Sequence, residues 1–467
     1  MSSTERALGA AVPAKVSISA SSASVLQPLN SSMIAVAMVA IVTHFGSPAG
    51  ASWLISGMYI ATAVSAPIGG KLGTIFGARR IYLMGLGIVG VATVVGSFAP
   101  DINWLIAAYV LLGIGMATHF PNAMTIIRDY ADRHRSDPKS ALLTLVLCSQ
   151  SVAALGPTVG GLLVGTFGWQ SILWINLPVI ALSGAAVLRY VAPDSTARQS
   201  DSRRSLLRSL DLLGVGLFVV LTSTTMMFLL SAGGSPPWFL LAVPAIALVL
   251  FVVREWHTDE PFIDVRALAH NRSLSATLVR TLLTYVAFYS VFFSVPQWLQ
   301  YQRGMSATQT GLTMLPVAAV GILSTYVASK VLRRCGPRIT LTVGSVALTA
   351  GGLLLAIVER TTAPIVVVLL VAAVLGVPSG FNNLSNQNMV NSATSLEEVG
   401  TAMGMYRTVQ FLGANLAAVV LQFTAGPSVG DDGIRHTGWV VVAISLVLLF
   451  GVAVTRSLTR GERIPRE

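Results

Sequence analysis

Apolar runs of roughly membrane-crossing length alternate along this chain with short polar connections rich in glycine and arginine. A helix needs about 20 predominantly apolar residues to cross a bilayer. On that rule fourteen stretches read as spans: Val16–Val42, Ala51–Ile68, Ile81–Phe98, Ile102–Ile127, Ala141–Gly165, Ser171–Val191, Leu212–Leu230, Trp238–Val253, Leu274–Trp298, Gln309–Val331, Ile339–Val358, Ala363–Asn383, Gly400–Phe423 and Gly438–Leu458. The first is the most polar, because Ser17, Ser19, Ser21, Ser22, Ser24 and Gln27 fill its first half. The eighth is short. The pattern predicts an all-α integral membrane protein in a six-plus-two-plus-six arrangement. Residues 1–191 form a first six-helix bundle, 192–272 a linker with two extra transmembrane helices, and 273–467 a second six-helix bundle.

Composition agrees with the pattern. Hydrophobic residues make up 54% of the chain and charged ones 10%, more apolar surface than one soluble core hides. The formal net charge of +11 does not imply a nucleic-acid partner, since the cations sit in short clusters between apolar runs. That placement suits an anionic inner leaflet. Cys148 lies in an apolar run and Cys335 in a basic loop, so neither a disulfide nor a metal site is expected. No cofactor is expected either. The first apolar stretch is Ser-rich without a cleavage pattern, and no signal peptide is expected.

Charge placement tests the span count. With both termini in the cytoplasm, that side receives Arg6, Lys15, Lys71, Arg79, Arg80, Arg128, Arg133, Arg135, Lys139, Arg189, Arg198, Arg203, Arg204 and Arg208. It also receives Arg254, Arg266, Arg272, Lys330, Arg333, Arg334, Arg338, Arg456, Arg460, Arg463 and Arg466. Only Arg303, Arg360 and Arg435 fall outside, the asymmetry expected of a multi-pass cell-membrane protein. The connection Leu384–Glu397 breaks the pattern, with no cation and Glu397 beside Glu398.

The stretch Gly69–Arg80, Gly-Gly-Lys-Leu-Gly-Thr-Ile-Phe-Gly-Ala-Arg-Arg, joins the second and third spans. A degenerate copy, Arg333-Arg334-Cys335-Gly336-Pro337-Arg338, follows the second span of the later six, as a duplicated chain predicts. Gly156-Pro157-Thr158-Val159-Gly160-Gly161 lies within the fifth span. Its small residues permit close helix approach and its proline removes a backbone donor, the makings of a hinge or seal between halves.

These stretches, with Leu29–Ile34, Trp53 and Tyr59, Gly168-Trp169, Ile175–Pro178, Leu210–Gly214, Leu299-Gln300, Gly304, Gly311-Leu312 and Leu315-Pro316, resemble the fourteen-helix drug:proton antiporter branch of the major facilitator superfamily. The resemblance spans nearly the whole chain. It implies Gly70, Gly73, Gly77, Arg79, Arg80, Gly156, Pro157, Gly160 and Gly161 as conformational motifs. It also implies export of small organic molecules by alternating access, coupled to protons. Departures bear on the coupling. The family usually places an acid where Thr74 stands, an aspartate at Asn30, an arginine at Tyr109 and a glutamine at Leu112.

No carboxylate is expected deep in the bilayer, and an amide such as Asn30 does not titrate near neutral pH. His119 is the one titratable group expected at depth. Arg407, two turns into the thirteenth span with Gln410 one turn on, is expensive there unless paired or wetted. Arg280 lies nearer the basic end and is expected to snorkel. Tyr285 and Tyr289 stand one turn apart. Asn382, Asn383, Asn386, Gln387 and Asn388 cluster at the end of the twelfth span. Candidate cavity residues are therefore Gln27, Asn30, Tyr109, His119, Tyr285, Tyr289, Arg407 and Gln410. No catalytic constellation is visible, so an enzyme is not expected. The expected partners are the lipid bilayer and a neutral or anionic amphiphile, with protons if transport is coupled; nucleic acid is not expected, and the chain is expected to act as a monomer. A proton-independent facilitator or exchanger, and a membrane sensor on the same fold, are the alternatives.

Overall fold

A computed structural model describes residues 9–194, 211–231, 238–259, 261–394, 399–425 and 429–454. Arg6, Arg198, Arg203, Arg204, Arg208, Glu397, Glu398, Arg456, Arg460, Arg463 and Arg466 lie outside the described residues. The chain is almost wholly helical: α1 (Ala14–Phe45), α2 (Pro48–Phe76), α3 (Ala78–Ser97), α4 (Ile102–His134), α5 (Lys139–Phe167), α6 (Ser171–Tyr190), α7 (Leu212–Ser231), α8 (Ala242–His257), α9 (Arg272–Tyr301), α10 (Ala307–Ile357), α11 (Ile365–Ser392), α12 (Val399–Ala425) and α13 (Asp431–Val454). A short parallel pair joins β1 (Gly9–Ala11) to β2 (Ser136–Asp137), just before α5.

Ten helices among the described residues are long and apolar enough to cross a membrane. The ten omit α5, of which the stretch Leu155–Phe167 is counted as a shorter apolar helix among the described residues. They omit α8, which has 16 residues, and α12, which carries Arg407, Gln410 and Asn415. Counted among them, α10 is broken at Gly336, where φ is 78° and ψ 176°. Part of the polar start of α1 is satisfied within the helix: Ser17, Ser19 and Ser22 donate to the carbonyls of Ala14, Lys15 and Ser19, the back-bonding that lets serine persist in an apolar helix, while the buried Ser21 and Ser24 hydroxyls have no partner among the described residues.

The two basic turns share a geometry. Gly77 takes φ 101° and Gly336 φ 78°, a region where a side chain is strained. Two residues after each glycine an arginine reaches a carbonyl near the end of its own bundle's last helix. Arg79 Nη2 donates to Leu188 O at 3.1 Å, and Arg338 Nη2 donates to Ala453 O at 3.4 Å. In the first half an acid also caps the turn. Asp194 accepts from the backbone N–H groups of Arg79 and Arg80, each at 3.0 Å.

Around the pseudo-repeat, α1–α6 pack as one bundle and α9–α13 as the other, while α7 pairs with α8 and packs against α2 and α12. Away from the basic turns the bundles touch closely. Within the first bundle Gly156 and Gly160 of α5 lie against Ser32 and Met33 of α1, and the next residue crosses to the other bundle. Gly161 meets the backbone of α10 at Ala307 and Gly311. Thr158 Oγ1 donates to Gly311 O at 2.9 Å, and Thr308 Oγ1 to Gly161 O at 3.2 Å. Gln300 Nε2 crosses from α9 to Val36 O of α1 at 3.0 Å.

Candidate functional site

Below this seam the bundles part around a cavity of about 1160 Å³. Its walls come from α1, α2, α4 and α5 on one side and from α9 to α12 on the other. At the basic end Lys71, Arg128 and Arg333 line the mouth, together with Pro261–Asp264, the segment that follows α8.

One polar chain organises the wall of the second bundle. Arg407 Nη1 approaches Gln410 Oε1 at 3.5 Å. Gln410 Nε2 donates to the Tyr285 hydroxyl at 2.6 Å, and that hydroxyl donates to Asn383 Oδ1 at 3.1 Å. Tyr406 donates to the same oxygen at 2.7 Å. The spacing in α12 explains the start of the chain, since residues three apart share a helix face. The guanidinium of Arg407 reaches across to the other bundle and lies 4.2 Å from the centroid of Phe120 on α4. Cation–π stacking on a partly dry ring offsets part of the cost of placing this charge in the membrane. Arg407 Nε has no hydrogen-bond partner among the described residues. Tyr289 adds an aromatic wall, its ring 5.6 Å from Tyr59 and 6.0 Å from Tyr285.

Among the expected cavity residues, Gln27, Tyr285, Tyr289, Arg407 and Gln410 line this space. Asn30, Tyr109 and His119 do not; each is buried inside the first bundle, behind the wall. Asn30 exchanges hydrogen bonds with Asn176 of α6, donating at 2.7 Å and accepting at 3.2 Å. His119 packs edge-on to Tyr82 at 4.9 Å, with Nδ1 3.2 Å from Met116 O. Arg280 also departs from expectation. It is buried and does not snorkel, with Nε donating to Asn386 at 2.9 Å and Nη2 to Thr277 at 3.1 Å. Of the amide cluster, Asn383 and Gln387 face the cavity.

Among the described lining residues the cations are Lys71, Arg128, Arg333 and Arg407, and the only carboxylate is Asp264, at the mouth. Phe120 and Tyr406 were not among the expected site residues; each is an aromatic in an apolar run, indistinguishable there from core.

Residues 20–418 match the Major Facilitator Superfamily. The chain belongs to that family. This facilitator is 34% identical over 409 residues to the uncharacterized MFS-type transporter YwoD of Bacillus subtilis, covering 87% of this chain and 89% of that protein. It is 30% identical to the methyl viologen resistance protein SmvA of Salmonella typhimurium, over 68% of this chain and 65% of that one. Relatives at lower identity include drug- and antibiotic-resistance proteins. Among solved structures, a POT family transporter in complex with 5-aminolevulinic acid has the same fold, with a TM-score of 0.68 at 12% identity, covering 94% of this chain and 96% of that one. This facilitator is thus a multi-pass membrane transporter and not an enzyme.

Proposed function

We propose that this facilitator exports small amphipathic molecules across the cytoplasmic membrane by alternating access, with fourteen spans in two six-helix halves and a two-helix linker. In this reading the basic turns face the cytoplasm, so the cavity is open inward and the α1–α5–α9–α10 seam is the outer seal. Gly156, Pro157, Gly160 and Gly161 form that seal, and Gly70, Gly73, Gly77, Arg79 and Arg80 shape the inner turn about which the first bundle rocks.

The cargo is neutral or anionic. The carrying observation is the charge of the wall: Arg407 at depth, three cations at the mouth, and Asp264 as the only described lining acid. An apolar cavity with one oriented cation selects an anionic or strongly polar head and an apolar body. The aromatic wall of Tyr285, Tyr289 and Phe288 accepts a flat body, and Gln410 and Asn383 accept or donate hydrogen bonds. The resistance proteins among the relatives support export as the direction.

Proton antiport is the reading that the family resemblance brings. Proton-independent exchange is the second, favoured by the absence of a carboxylate at depth among the described lining residues. Counterflow in proteoliposomes, with and without an imposed pH gradient, separates them. Gradient-driven uptake supports antiport, and gradient-blind exchange supports the second reading. Strong pH-dependent export of a permanent cation such as methyl viologen would remove the charge argument altogether.

A further inference from the structure

The linker pair α7–α8 contributes no residue to the described cavity wall, yet the segment that follows it, Pro261–Asp264, does. Two buried carboxyl groups sit at its root. Asp211 immediately precedes α7 and is 2% exposed; Glu255, near the end of α8, is 0% exposed. Asp211 Oδ1 is fully used: it accepts from Gly214 N at 3.2 Å and from Arg254 Nη2 at 3.0 Å. Glu255 Oε2 accepts from Ile263 N at 2.8 Å. The remaining two oxygens, Asp211 Oδ2 and Glu255 Oε1, have no hydrogen-bond partner in the described structure. Both converge on the same point over Gly214, where a Cβ would collide with each. Asp211 is held at φ 42°, backbone strain that the surrounding bonds must sustain.

Two acceptor oxygens facing each other in a dry site repel when both groups are ionised, and attract when one proton lies between them. We propose that Asp211 and Glu255 form a proton-binding site, sharing one proton between Oδ2 and Oε1, and that this proton holds the Pro261–Asp264 strap closed over the cavity mouth. The link is direct, since the carboxyl that shares the proton also accepts the backbone N–H of Ile263. Phe262 adds an apolar tether, its ring 5.3 Å from Phe218. Loss of the proton leaves two buried charges against the guanidinium of Arg254, the one cation in contact with them among the described residues and already engaged by Asp211. Glu255 then moves toward water and releases Ile263.

Among the described residues the surrounding charges are few. Arg254 is the cation in contact with the pair. His257 and Asp259 are exposed, Arg266 is held by Thr258 O, and Asp264 caps Ala267 N. From α2, Lys71 lines the mouth, and from α12 the one charge is Arg407. Burial pushes the Glu255 carboxyl up to about 7, with the neighbouring Asp211 adding to the rise and the Ile263 N–H opposing it. Asp211 stays below its ordinary value: burial works against this, but a proton carried by Glu255 and the hydrogen bonds from Gly214 and Arg254 prevail. The proton is therefore shed from the Glu255 side as the cytoplasmic face passes neutrality.

The proposal does not depend on what is transported. It is tested on the full chain in nanodiscs by amide hydrogen exchange of peptides spanning the strap, corrected for intrinsic rates, between about pH 6 and about pH 8. Across that range protection of the strap falls by about tenfold in all in the wild type, most steeply below about 7 and levelling off above it, as expected for a closed state holding one extra proton. Glu255→Gln keeps an acceptor for Ile263 and gives a permanent N–H toward Asp211, so protection becomes high and flat. Should that variant misfold, Asp211→Asn donates permanently to Glu255 and must also remove the pH step. Wild-type protection equal at both ends of the range, or a pH step retained in a folded Glu255→Gln or Asp211→Asn variant, overturns the proposal.

Discussion

Gly161→Ala is the sharpest perturbation of the seam between the bundles. A Cβ at this position would stand 2.8 Å from Gly311 Cα and 3.0 Å from Gly311 N, and would press harder still on Ala307 O. All three are backbone atoms of α10, so no side-chain rotation relieves the clash. Ordinary contact needs about 3.5 Å, so α5 and α10 must separate by roughly 1 Å at this point. The bonds from Thr158 to Gly311 O and from Thr308 to Gly161 O, at 2.9 and 3.2 Å, then stretch beyond hydrogen-bonding distance. Two interhelical bonds in a membrane contribute about 0.6 kcal/mol each. Their loss shifts the equilibrium away from the sealed state by about eightfold, before any loss of packing. The assay is thiol labelling of a Gln27→Cys reporter, which lines the cavity, in a Cys148→Ser, Cys335→Ser background. An impermeant reagent is applied from the face opposite the basic turns. Gly216→Ala is the control, because a Cβ there meets nothing within 4 Å. The labelling rate rises about tenfold for Gly161→Ala and stays unchanged for the control. Equal rates in the two variants would refute the assignment of the seam as the seal.

Other tests read different parts of the molecule. Arg407→Met removes the deep cation while preserving bulk; a charge-assisted bond contributes about 1.5–3 kcal/mol. Binding of an anionic amphiphile should weaken by at least about tenfold, with a neutral analogue nearly unaffected, as read by scintillation proximity or calorimetry. Asn30→Ala leaves Asn176 buried without its reciprocal partner, so stability drops by about 1–3 kcal/mol, visible as a lower Tm; a Tm equal to wild type would show that the pair contributes nothing net. Glu359 is buried on the opposite face, and burial pushes its carboxyl up to about 8 despite the opposing charge of Arg303. Its folded-state value lies above the unfolded one, so its contribution is fully present below the unfolded value and is lost as pH rises through about 8. Glu359→Gln should flatten the alkaline side of the Tm–pH profile, and an unchanged slope would assign that loss elsewhere.

The parts of this molecule that were legible in the sequence are those where backbone geometry or charge demands a residue type. Gly77 and Gly336 need positive φ, and the arginines two places on reach equivalent carbonyls, so the duplicated turn was readable from the letters alone. Arg407 and Gln410 were readable because a cation three residues from an amide, within an apolar run, must find water or a partner. Asn30, Tyr109 and His119 look equally polar in the sequence but face neighbouring helices of their own bundle. A helical period assigns residues to faces without saying which face meets the cavity. Arg280 shows the same limit, since its partner Asn386 lies in another helix far along the chain. Glu255 and Asp211 read as ordinary loop-side acids, because their burial depends on how α7 and α8 close against each other. The span count is less firmly written: α8 has only 16 residues and α12 carries Arg407, Gln410 and Asn415, so length or polarity weighs against each as a crossing helix.

The cations of the cavity are arranged in order of depth, and this has a kinetic consequence. Lys71, Arg128 and Arg333 stand at the mouth, and Arg407 lies behind them. At physiological ionic strength a charge is felt over about 8 Å, so the mouth cations act on an approaching anion before any contact is made. They raise capture rates rather than residence, and their effect fades as salt is added. Arg407, stacked on Phe120 away from bulk ions, is screened far less and, for the anionic cargo proposed above, would govern how long it stays. Entry and retention of a negatively charged molecule are thereby set by different side chains, and each can be tuned by substitution without moving the other.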